Sequence, residues 1–204
     1  MFTGSVGHPD PQHIGAVAQV LTRAFANDPV ISWILPDPGT REQRLRKLFD
    51  LQLRHFHATN AGVLSAGDPA APAGAAIWEP PGHPMTVPAM VRALPGVLSA
   101  TGRDGFRRVR TVLSRFGAVH PRRPHWYLGY LGTDPDLQGS GVGSALMRPT
   151  LAYCDAIGIP AYLESSDEKN VGFYERFGFT VTGDVRLPDG PRVPLMWREP
   201  QGAR

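Results

Sequence analysis

The sequence contains a single cysteine, Cys154, among its 204 residues, so no internal disulfide can form. Cys154 lies within an apolar helical pattern, and no histidine or second cysteine stands beside it to lower the pKa of its thiol. A catalytic or metal-binding role is therefore not expected. We predict that Cys154 is a buried core residue.

Long apolar runs are also missing. No stretch of 18 or more apolar residues could span a bilayer. The first twelve residues, MFTGSVGHPDPQ, contain neither the basic nor the apolar region of a secretory signal. The sequence therefore predicts a cytoplasmic protein without a membrane partner, and its length suits a single domain over 1–204.

Metal-ligand clusters and base-stacking patterns are absent as well. His55 and His57 stand two apart in a predicted helix, so they face different sides, and no Cys or His cluster joins them. The net charge of +3 is concentrated in an arginine-rich stretch at 103–123, without the aromatic interleaving used in base stacking. We expect no metal and no nucleic acid. The arginines form either a solvated helix face or a site for an acidic group.

Apolar spacing in the N-terminal half predicts helices, then a hairpin, then more helices. The two first helices are expected at about 13–28 and 40–60, with Thr40 as a possible cap. Strands at 63–66 and 75–78 flank a turn rich in Gly, Asp and Pro. From 85 to 119 we predict a helical insertion of two or three short helices, interrupted at Pro95-Gly96 and at Gly102.

The C-terminal half alternates strands and helices regularly. Strands are predicted at 125–133, 160–165, 179–186 and 192–198, and helices at about 141–157 and 168–177. This alternation predicts an α/β fold with a central sheet flanked by helices.

Three alternating glycines, Gly139, Gly141 and Gly143, stand where the first of these strands runs into a helix. Each costs about 0.5–1 kcal/mol relative to alanine, so a helix start seldom contains three of them without reason. A pyrophosphate needs backbone N–H groups aimed at it, no obstructing side chains and a helix N-terminus nearby. The glycine turn meets all three needs and predicts a phosphate-bearing ligand.

Two common phosphate ligands fit this turn poorly. A dinucleotide fingerprint requires Gly-x-Gly-x-x-Gly, but its last glycine is replaced here by Ser144. A nucleoside-triphosphate loop requires Gly-Lys followed by Ser or Thr, and the sequence contains no Gly-Lys pair.

The motif Gln138-x-x-Gly141-x-Gly143, after a strand that ends Leu-Gly-Thr-Asp-Pro, resembles the acetyl-CoA loop of the GNAT N-acetyltransferase superfamily. The segment 170–179, which contains Asn170 and Tyr174, is similar to that superfamily's helix-to-strand segment. The resemblance implies a mixed sheet of about six to seven strands, with acetyl-CoA as co-substrate. It also implies transfer of the acetyl group to an amine.

A closer resemblance, over roughly the last 80 residues, is to puromycin N-acetyltransferases. The shared features include Leu163-Glu164-Ser165-Ser166, Asp189-Gly190-Pro191-Arg192 and a proline within the helix, Pro149. This implies a small-molecule amine as the acceptor, such as an aminonucleoside or another antibiotic, and a role in antibiotic resistance. Upstream of Trp126 the likeness is looser, and MFTGSVG is a poor match to the superfamily's first strand.

The resemblance also assigns the residues that bind acetyl-CoA. They comprise the main chain at the end of the strand, the glycine turn and one amide: Leu131, Gly132, Thr133, Gln138, Gly139, Ser140, Gly141, Val142, Gly143, Ser144 and Asn170. Tyr174 is the candidate acid for the leaving thiolate, since its ordinary pKa near 10 suits a thiol. Asn170 lies one helical turn earlier and is expected to face the same cleft.

The attacking amine must be neutral, so a base is expected as well. Glu164 and Glu79 both follow apolar strands, and burial in a cleft would raise the pKa of either one. A water relay could replace both. Trp78 and Glu79 are expected to help bind the acceptor.

Two functions remain open at this point. The first is an acetyl-CoA-dependent N-acetyltransferase. The second is a catalytically silent acyl-CoA-binding or regulatory module on the same fold. The presence of both Asn170 and Tyr174 favours the enzyme, because a pure binding module needs the glycines but not the acid.

Overall fold

Seven strands form one mixed sheet in the computed structural model, which describes residues 2–54, 62–82 and 87–202, with the backbone alone over 87–92. They are Val6–Gly7 (β1), Val63–Asp68 (β2), Ala71–Glu79 (β3), Trp126–Thr133 (β4), Ala161–Glu164 (β5), Thr180–Arg186 (β6) and Arg192–Arg198 (β7). The order across the sheet is β1-β2-β3-β4-β5-β7-β6. Only β4 and β5 are parallel neighbours in this sheet. The predicted α/β fold class is confirmed.

Helices cover both faces of the sheet. Those assigned in the described residues are Ile14–Phe25 (α1), Pro29–Ile34 (α2), Pro38–Gln52 (α3), Val87–Val119 (α4), Val142–Ile157 (α5) and Val171–Glu175 (α6). Short 3-10 turns at Pro135–Leu137 and Glu168–Asn170 come before α5 and α6. None of the described helices is long and apolar enough to cross a membrane.

The sequence supplies clear start signals for α2 and α3. Pro29 and Pro38 occupy the first helical positions, where a missing N–H costs nothing. Asp28 caps α2 by accepting the Ile31 N–H, and Asp37 caps α3 by accepting the Gly39 N–H at 3.0 Å. The prediction of Thr40 as a cap was therefore wrong, because α3 begins two residues earlier.

Two apolar clusters lie on opposite faces of the sheet. The cluster beneath α1–α3 includes Leu21, Phe49 and Ile77, and the cluster beneath α5 includes Leu146 and Trp78. Ile77 and Trp78 are consecutive in β3, so they point to opposite faces. Full burial of each such side chain stabilises the fold by about 1.5–3 kcal/mol.

The predicted insertion at 85–119 is helical over its described part, 87–119. α4 continues through Pro95 and changes direction at Gly102, whose φ of 70° lies in the left-handed region. The predicted interruption at Gly102 is thus confirmed, whereas Pro95 does not end the helix. Arg108 attaches the later half to α2, since its guanidinium donates to the Trp33 carbonyl and lies 5.5 Å from that ring.

A bidentate ion pair fastens the end of α5 to the end of β7. Arg198 is 3% exposed, and two of its nitrogens donate to the Asp155 carboxylate at 2.8 Å each. The Arg198 Nε–H also donates to the Phe177 carbonyl, just after α6. Hydrogen bonds from Arg198 hold the pKa of Asp155 below its usual value.

Replacing Asp155 by alanine should lower the free energy of unfolding by about 2–4 kcal/mol, because it leaves the buried Arg198 charge without its carboxylate. A quarter of the Asp155 side chain is exposed, which keeps the loss below that of a fully buried pair. Since the folded-state pKa is lowered, this stabilisation is present above the ordinary pKa of about 3.9 and is lost as pH falls.

Urea unfolding at pH 7 and at acid pH measures this effect. The control is Glu199→Ala, which breaks the exposed pair with Arg123 and should leave stability nearly unchanged. Equal destabilisation by the two variants would show that the Asp155–Arg198 pair has no special role.

Candidate active site

β4 and β5 pair over only three residues and then separate. The register joins Trp126 to Ala161 and Leu128 to Leu163, after which β5 ends at Glu164 while β4 continues to Thr133. Within the described chain, the main chain of 129–133 therefore has no strand partner on its β5 side. The resulting gap can admit an extended ligand between the strands, beside the predicted contacts at 131–133.

Gly132 lets helix α1 pack tightly behind this gap. A Cβ on Gly132 would lie 2.8 Å from the Cβ of Ala24 and 3.0 Å from a methyl carbon of Leu21. Arg23, also on α1, bridges Asp134 at 3.1 Å and Asp136 at 2.7 Å. Helix α1 thus supports both the end of β4 and the turn that leads to the glycines.

The glycine turn has the backbone conformation that only glycine adopts readily. Gly139 has φ 77° and Gly141 has φ 99°, both in the left-handed region. α5 begins at Val142, so the N–H groups of its first turn have no acceptor within the helix and face the turn. Together with the helix dipole they form a site suited to an anion.

Close packing brings the two predicted motifs together. A Cβ on Gly143 would lie 3.4 Å from the Phe173 ring and 3.5 Å from the Thr133 hydroxyl. Phe173 directly precedes Tyr174 in α6, and their ring centroids are 5.2 Å apart. The glycine turn and the helix α6, which carries Tyr174, therefore meet at the C-terminal end of β4, in the middle of the sheet.

Ser140 holds the turn in shape through hydrogen bonds on both sides. Its hydroxyl donates to the Leu137 carbonyl at 2.6 Å, and its own carbonyl accepts the Phe2 N–H at 2.7 Å. Gln138 is exposed. Both residues belong to the predicted acetyl-CoA loop, and their contacts with the ligand stay predictions.

Tyr174 is 8% exposed, and burial raises the pKa of its phenol well above the ordinary value. The Asp28 carboxylate adds to this increase. Asp28 is partly buried, which raises its pKa, and it accepts a hydrogen bond from the Ser166 hydroxyl just beyond β5. Tyr174 is therefore a protonated phenol at neutral pH.

Asn170 differs in setting from Tyr174. It ends the 3-10 turn at Glu168–Asn170, it is exposed, and its N–H donates to the Asp167 carbonyl at 3.0 Å. The single helix predicted over 168–177 is thus a 3-10 turn followed by the short α6. Asp167 caps the start of the 3-10 turn by accepting the Lys169 N–H.

The two candidate bases, Glu79 and Glu164, lie near each other on the face covered by α1–α4. Glu79 pairs with Tyr127 across β3 and β4, and Tyr127 pairs with Tyr162 across β4 and β5, two residues before Glu164. The Glu164 side chain is 2% exposed, and neither carboxylate oxygen meets a hydrogen-bond partner among the described residues. Burial raises the pKa of Glu79, and the Glu164 charge adds to the increase.

His120 lies beside both carboxylates. Its Nδ1 is 3.8 Å from Glu164 Oε1, and its ring is 40% exposed. The ring also packs edge-on against Tyr127 and Tyr162, with centroids 5.3 and 5.4 Å away. His120 follows α4 in a proline-rich loop without periodic spacing, so the sequence offered no signal for its position.

A group of aromatic rings surrounds this carboxylate pair. Tyr127 and Tyr162 stack at 6.1 Å, and burial, followed by the nearby Glu164 charge, raises the pKa of both phenols. His125 packs on Tyr162 at 5.4 Å, and burial lowers its pKa, so it favours the neutral form. Strand alternation could have identified the two tyrosines, since both point to the face that carries Glu79.

The family comparison decides which ligand this arrangement serves. The model of the acetyltransferase (GNAT) family matches residues 31–179, which contain the glycine turn, Tyr174 and both carboxylates. The chain belongs to the acetyltransferase (GNAT) family.

Individual GNAT relatives agree with this assignment. An uncharacterized N-acetyltransferase of Schizosaccharomyces pombe is 33% identical over 199 residues, which cover 90% of this chain and 78% of that protein. A peptidyl-lysine N-acetyltransferase of Salmonella typhimurium is 34% identical over 71 residues, 34% of this chain and 48% of that one. The solved structure of a histone acetyltransferase HPA2 and related acetyltransferase from Corynebacterium glutamicum has 28% identity and a TM-score of 0.77, with 99% of both chains covered.

GNAT enzymes use acetyl-CoA as their co-substrate, and this chain is an acetyl-CoA-dependent acetyltransferase. The described residues fit that ligand. The left-handed glycines and the start of α5 can receive the pyrophosphate, and the gap between β4 and β5 can receive the thioester arm. When bound, acetyl-CoA supplies an activated acetyl group.

Three other residues or groups predicted from the sequence have different outcomes. Trp78 is 1% exposed in the cluster beneath α5, so it lies on the opposite face of the sheet from Glu79. Cys154 is buried as predicted, and burial raises its thiol pKa to about 11. His55 and His57 lie outside the described residues.

The arginine-rich stretch is largely a solvated helix face, in agreement with one of its two predicted roles. Arg108 and Arg123 are exceptions with structural contacts, the first to Trp33 and the second to Glu199 and the Trp197 ring. The other arginines of the stretch are exposed: Arg103, Arg107, Arg110, Arg115 and Arg122.

Replacing Gly141 by valine should abolish CoA binding. A β-branched side chain is strained at φ 99° and would obstruct the start of α5. Calorimetric titration with CoA measures the effect. Gly158→Val is the control, because Gly158 ends α5 with φ 67° and imposes similar strain at the opposite end of the helix. Undiminished CoA affinity in Gly141→Val would contradict the loop assignment.

Proposed function

We propose that this GNAT enzyme transfers the acetyl group of acetyl-CoA directly to a primary amine of a small molecule. The observation that carries the proposal is the meeting of the glycine turn with the Tyr174 helix through Gly143 and Phe173. A site for the anionic end of CoA and a buried acid for its sulfur thereby lie together at the C-terminal end of β4. The Glu79 and Glu164 carboxylates lie on the face of the sheet that α1–α4 cover, which we infer to be the acceptor face.

Tyr174 would act at the leaving-group end. Its raised pKa keeps the phenol protonated at neutral pH, so a proton is available for the thiolate that departs. Main-chain groups of 131–133, at the unpaired end of β4, would hold the acetyl carbonyl. Preorganised donors of this kind stabilise the negative charge that develops on the oxygen.

Glu164 is the candidate base at the amine end. Its carboxylate is buried beside the Tyr127 and Tyr162 hydroxyls and accepts no hydrogen bond of ordinary geometry from the described residues, so it has lone pairs available to a substrate or to a water. Glu79 is the alternative base, and a water relay could serve in place of either contact. In each case the amine loses one proton to the base side and the sulfur gains one from Tyr174; the base-side proton then returns to the Tyr174 phenolate, so the reaction is balanced.

The identity of the amine rests on the resemblance and on the acceptor face. An aminonucleoside or another antibiotic with a primary amine is the acceptor that the resemblance suggests. Helices α1–α4 cover this face, and Glu79, Glu164 and Tyr127 belong to it. We infer that these helices shape the acceptor pocket.

Release of free CoA thiol from acetyl-CoA tests the proposed function directly. A panel of primary amines is offered to the enzyme, and acceptor-dependent thiol release is expected with at least one of them. Tight CoA binding by calorimetry, with no acceptor-dependent thiol from any amine, would instead favour a silent acyl-CoA-binding module.

In the same assay, Tyr174→Phe should lower turnover by about 10²–10⁴-fold, the usual contribution of a positioned acid or base, while CoA affinity stays roughly intact. Tyr153→Phe is the matched control, because Tyr153 is 53% exposed on α5. If turnover of Tyr174→Phe equals that of the wild type across pH, Tyr174 is not the acid.

A further inference from the structure

The acceptor face carries buried negative charge that no described lysine or arginine neutralises. Glu164 has only His120 within 4 Å as a potentially cationic partner, at 3.8 Å. The pKa of Glu79 is raised by burial and by the Glu164 charge. A buried carboxylate without a cationic partner is costly, so Glu164, with the partly buried Glu79 near it, is suited to a cation that arrives with a ligand.

The surroundings of the pair also suit a cation. The Tyr127, Tyr162 and His120 rings lie within 6.1 Å of one another beside the carboxylates. Aromatic faces attract ammonium groups and accept the alkyl or aryl body of an amine. An anion brought to the same place would meet two carboxylates, and the described basic side chains there are His120 and His125, of which the second favours the neutral form because burial lowers its pKa.

We propose that the acceptor face, at Glu79 and Glu164, selects basic alkyl- or arylalkylamines whose amine has no neighbouring carboxylate, and that it rejects the corresponding amino acids. The proposal rests on the proposed acetyl transfer and narrows its acceptor class. At neutral pH such an amine arrives as an ammonium ion. Glu79 and Glu164 bind that charge, and an α-carboxylate on the substrate would be repelled by both.

The chemistry then proceeds with every proton accounted for. The ammonium ion gives one proton to Glu164, and the freed lone pair forms the C–N bond with the acetyl carbon. The C–S bond breaks, its electron pair remains on sulfur, and sulfur takes the Tyr174 proton. The nitrogen then loses its second proton, which restores the Tyr174 phenol, and the proton on Glu164 passes to solvent. Glu79 takes no proton in this sequence and acts as a positioning residue for the ammonium group.

Matched pairs of acceptors test the selection. The pairs are 2-phenylethylamine with phenylalanine and pentylamine with norleucine, which differ only by the α-carboxylate. We expect kcat/KM, measured by CoA thiol release at pH 7.5, to be at least about 100-fold higher for each amine than for its amino acid. A ratio within about threefold of one would overturn the proposal.

Variants at Glu79 show whether the carboxylates cause the selection. Glu79→Gln should reduce the ratio of the two kcat/KM values at least about tenfold, and Glu79→Asp, which keeps the charge, should largely restore it. Glu199→Gln is the control for loss of an exposed acid elsewhere and should leave the ratio unchanged. An unchanged ratio in Glu79→Gln, with CoA binding intact by calorimetry, would remove Glu79 from the selection.

A binding measurement separates this proposal from the proposed acetyl transfer. Thermal stabilisation of the CoA complex is recorded with each amine and each amino acid. Stabilisation by amines alone, without thiol release, would support the selection and contradict the transfer. Equal thiol release from amines and amino acids would support the transfer and contradict the selection. If none of the four compounds stabilises the CoA complex or releases CoA thiol, both the selection of amines and the acetyl transfer to amines of this class are contradicted.

Discussion

The early separation of β4 from β5 is the constraint on which the site depends. Three paired residues hold the parallel strands together, and beyond Leu128 and Leu163 the end of β4 runs on with its β5 side open. Backbone polar groups need partners, so an open strand edge inside a fold is a natural place for a ligand that can hydrogen-bond to it. The glycine turn and α6 are arranged around this opening.

Charge is distributed unevenly about the opening. The first turn of α5 presents free N–H groups and the positive end of a helix dipole, which suits the anionic part of CoA. The acceptor face carries Glu79 and Glu164, which suit a cationic amine. Tyr174 lies next to Phe173, which packs on Gly143 of the glycine turn, and it is buried enough to stay protonated. The two substrates would therefore be separated by charge before they meet.

Much of the phosphate-binding end could be predicted from the sequence. Alternating glycines at a strand-to-helix junction have a specific physical use, and Gly139 and Gly141 indeed adopt the left-handed conformation. The apolar patterns also predicted the strands that lead to Glu79 and Glu164. These features depend on local backbone conformation, which neighbouring residues largely determine.

The acceptor end was harder to predict because tertiary packing assembles it. His120 comes from an irregular loop, which gives no periodic signal. The sequence shows Asp28 only as a possible helix cap, whereas in the fold it also accepts a hydrogen bond from Ser166, beyond β5. Trp78 was expected beside Glu79, but consecutive strand residues face opposite sides of a sheet. Ligand contacts with the main chain of 131–133 were implied by family resemblance, whereas the short register between β4 and β5 became visible only in the folded chain.

A crystal structure of the enzyme with bound CoA tests whether the glycine turn and the gap between β4 and β5 form the CoA site. We predict an arrangement in which the pyrophosphate lies within hydrogen-bonding distance of backbone N–H groups in the turn and first helical residues, 139–144. The pantetheine arm lies between β4 and β5, and the sulfur lies near the Tyr174 hydroxyl. A pyrophosphate bound away from the start of α5, or a sulfur on the far side of β4 from Tyr174, would contradict it.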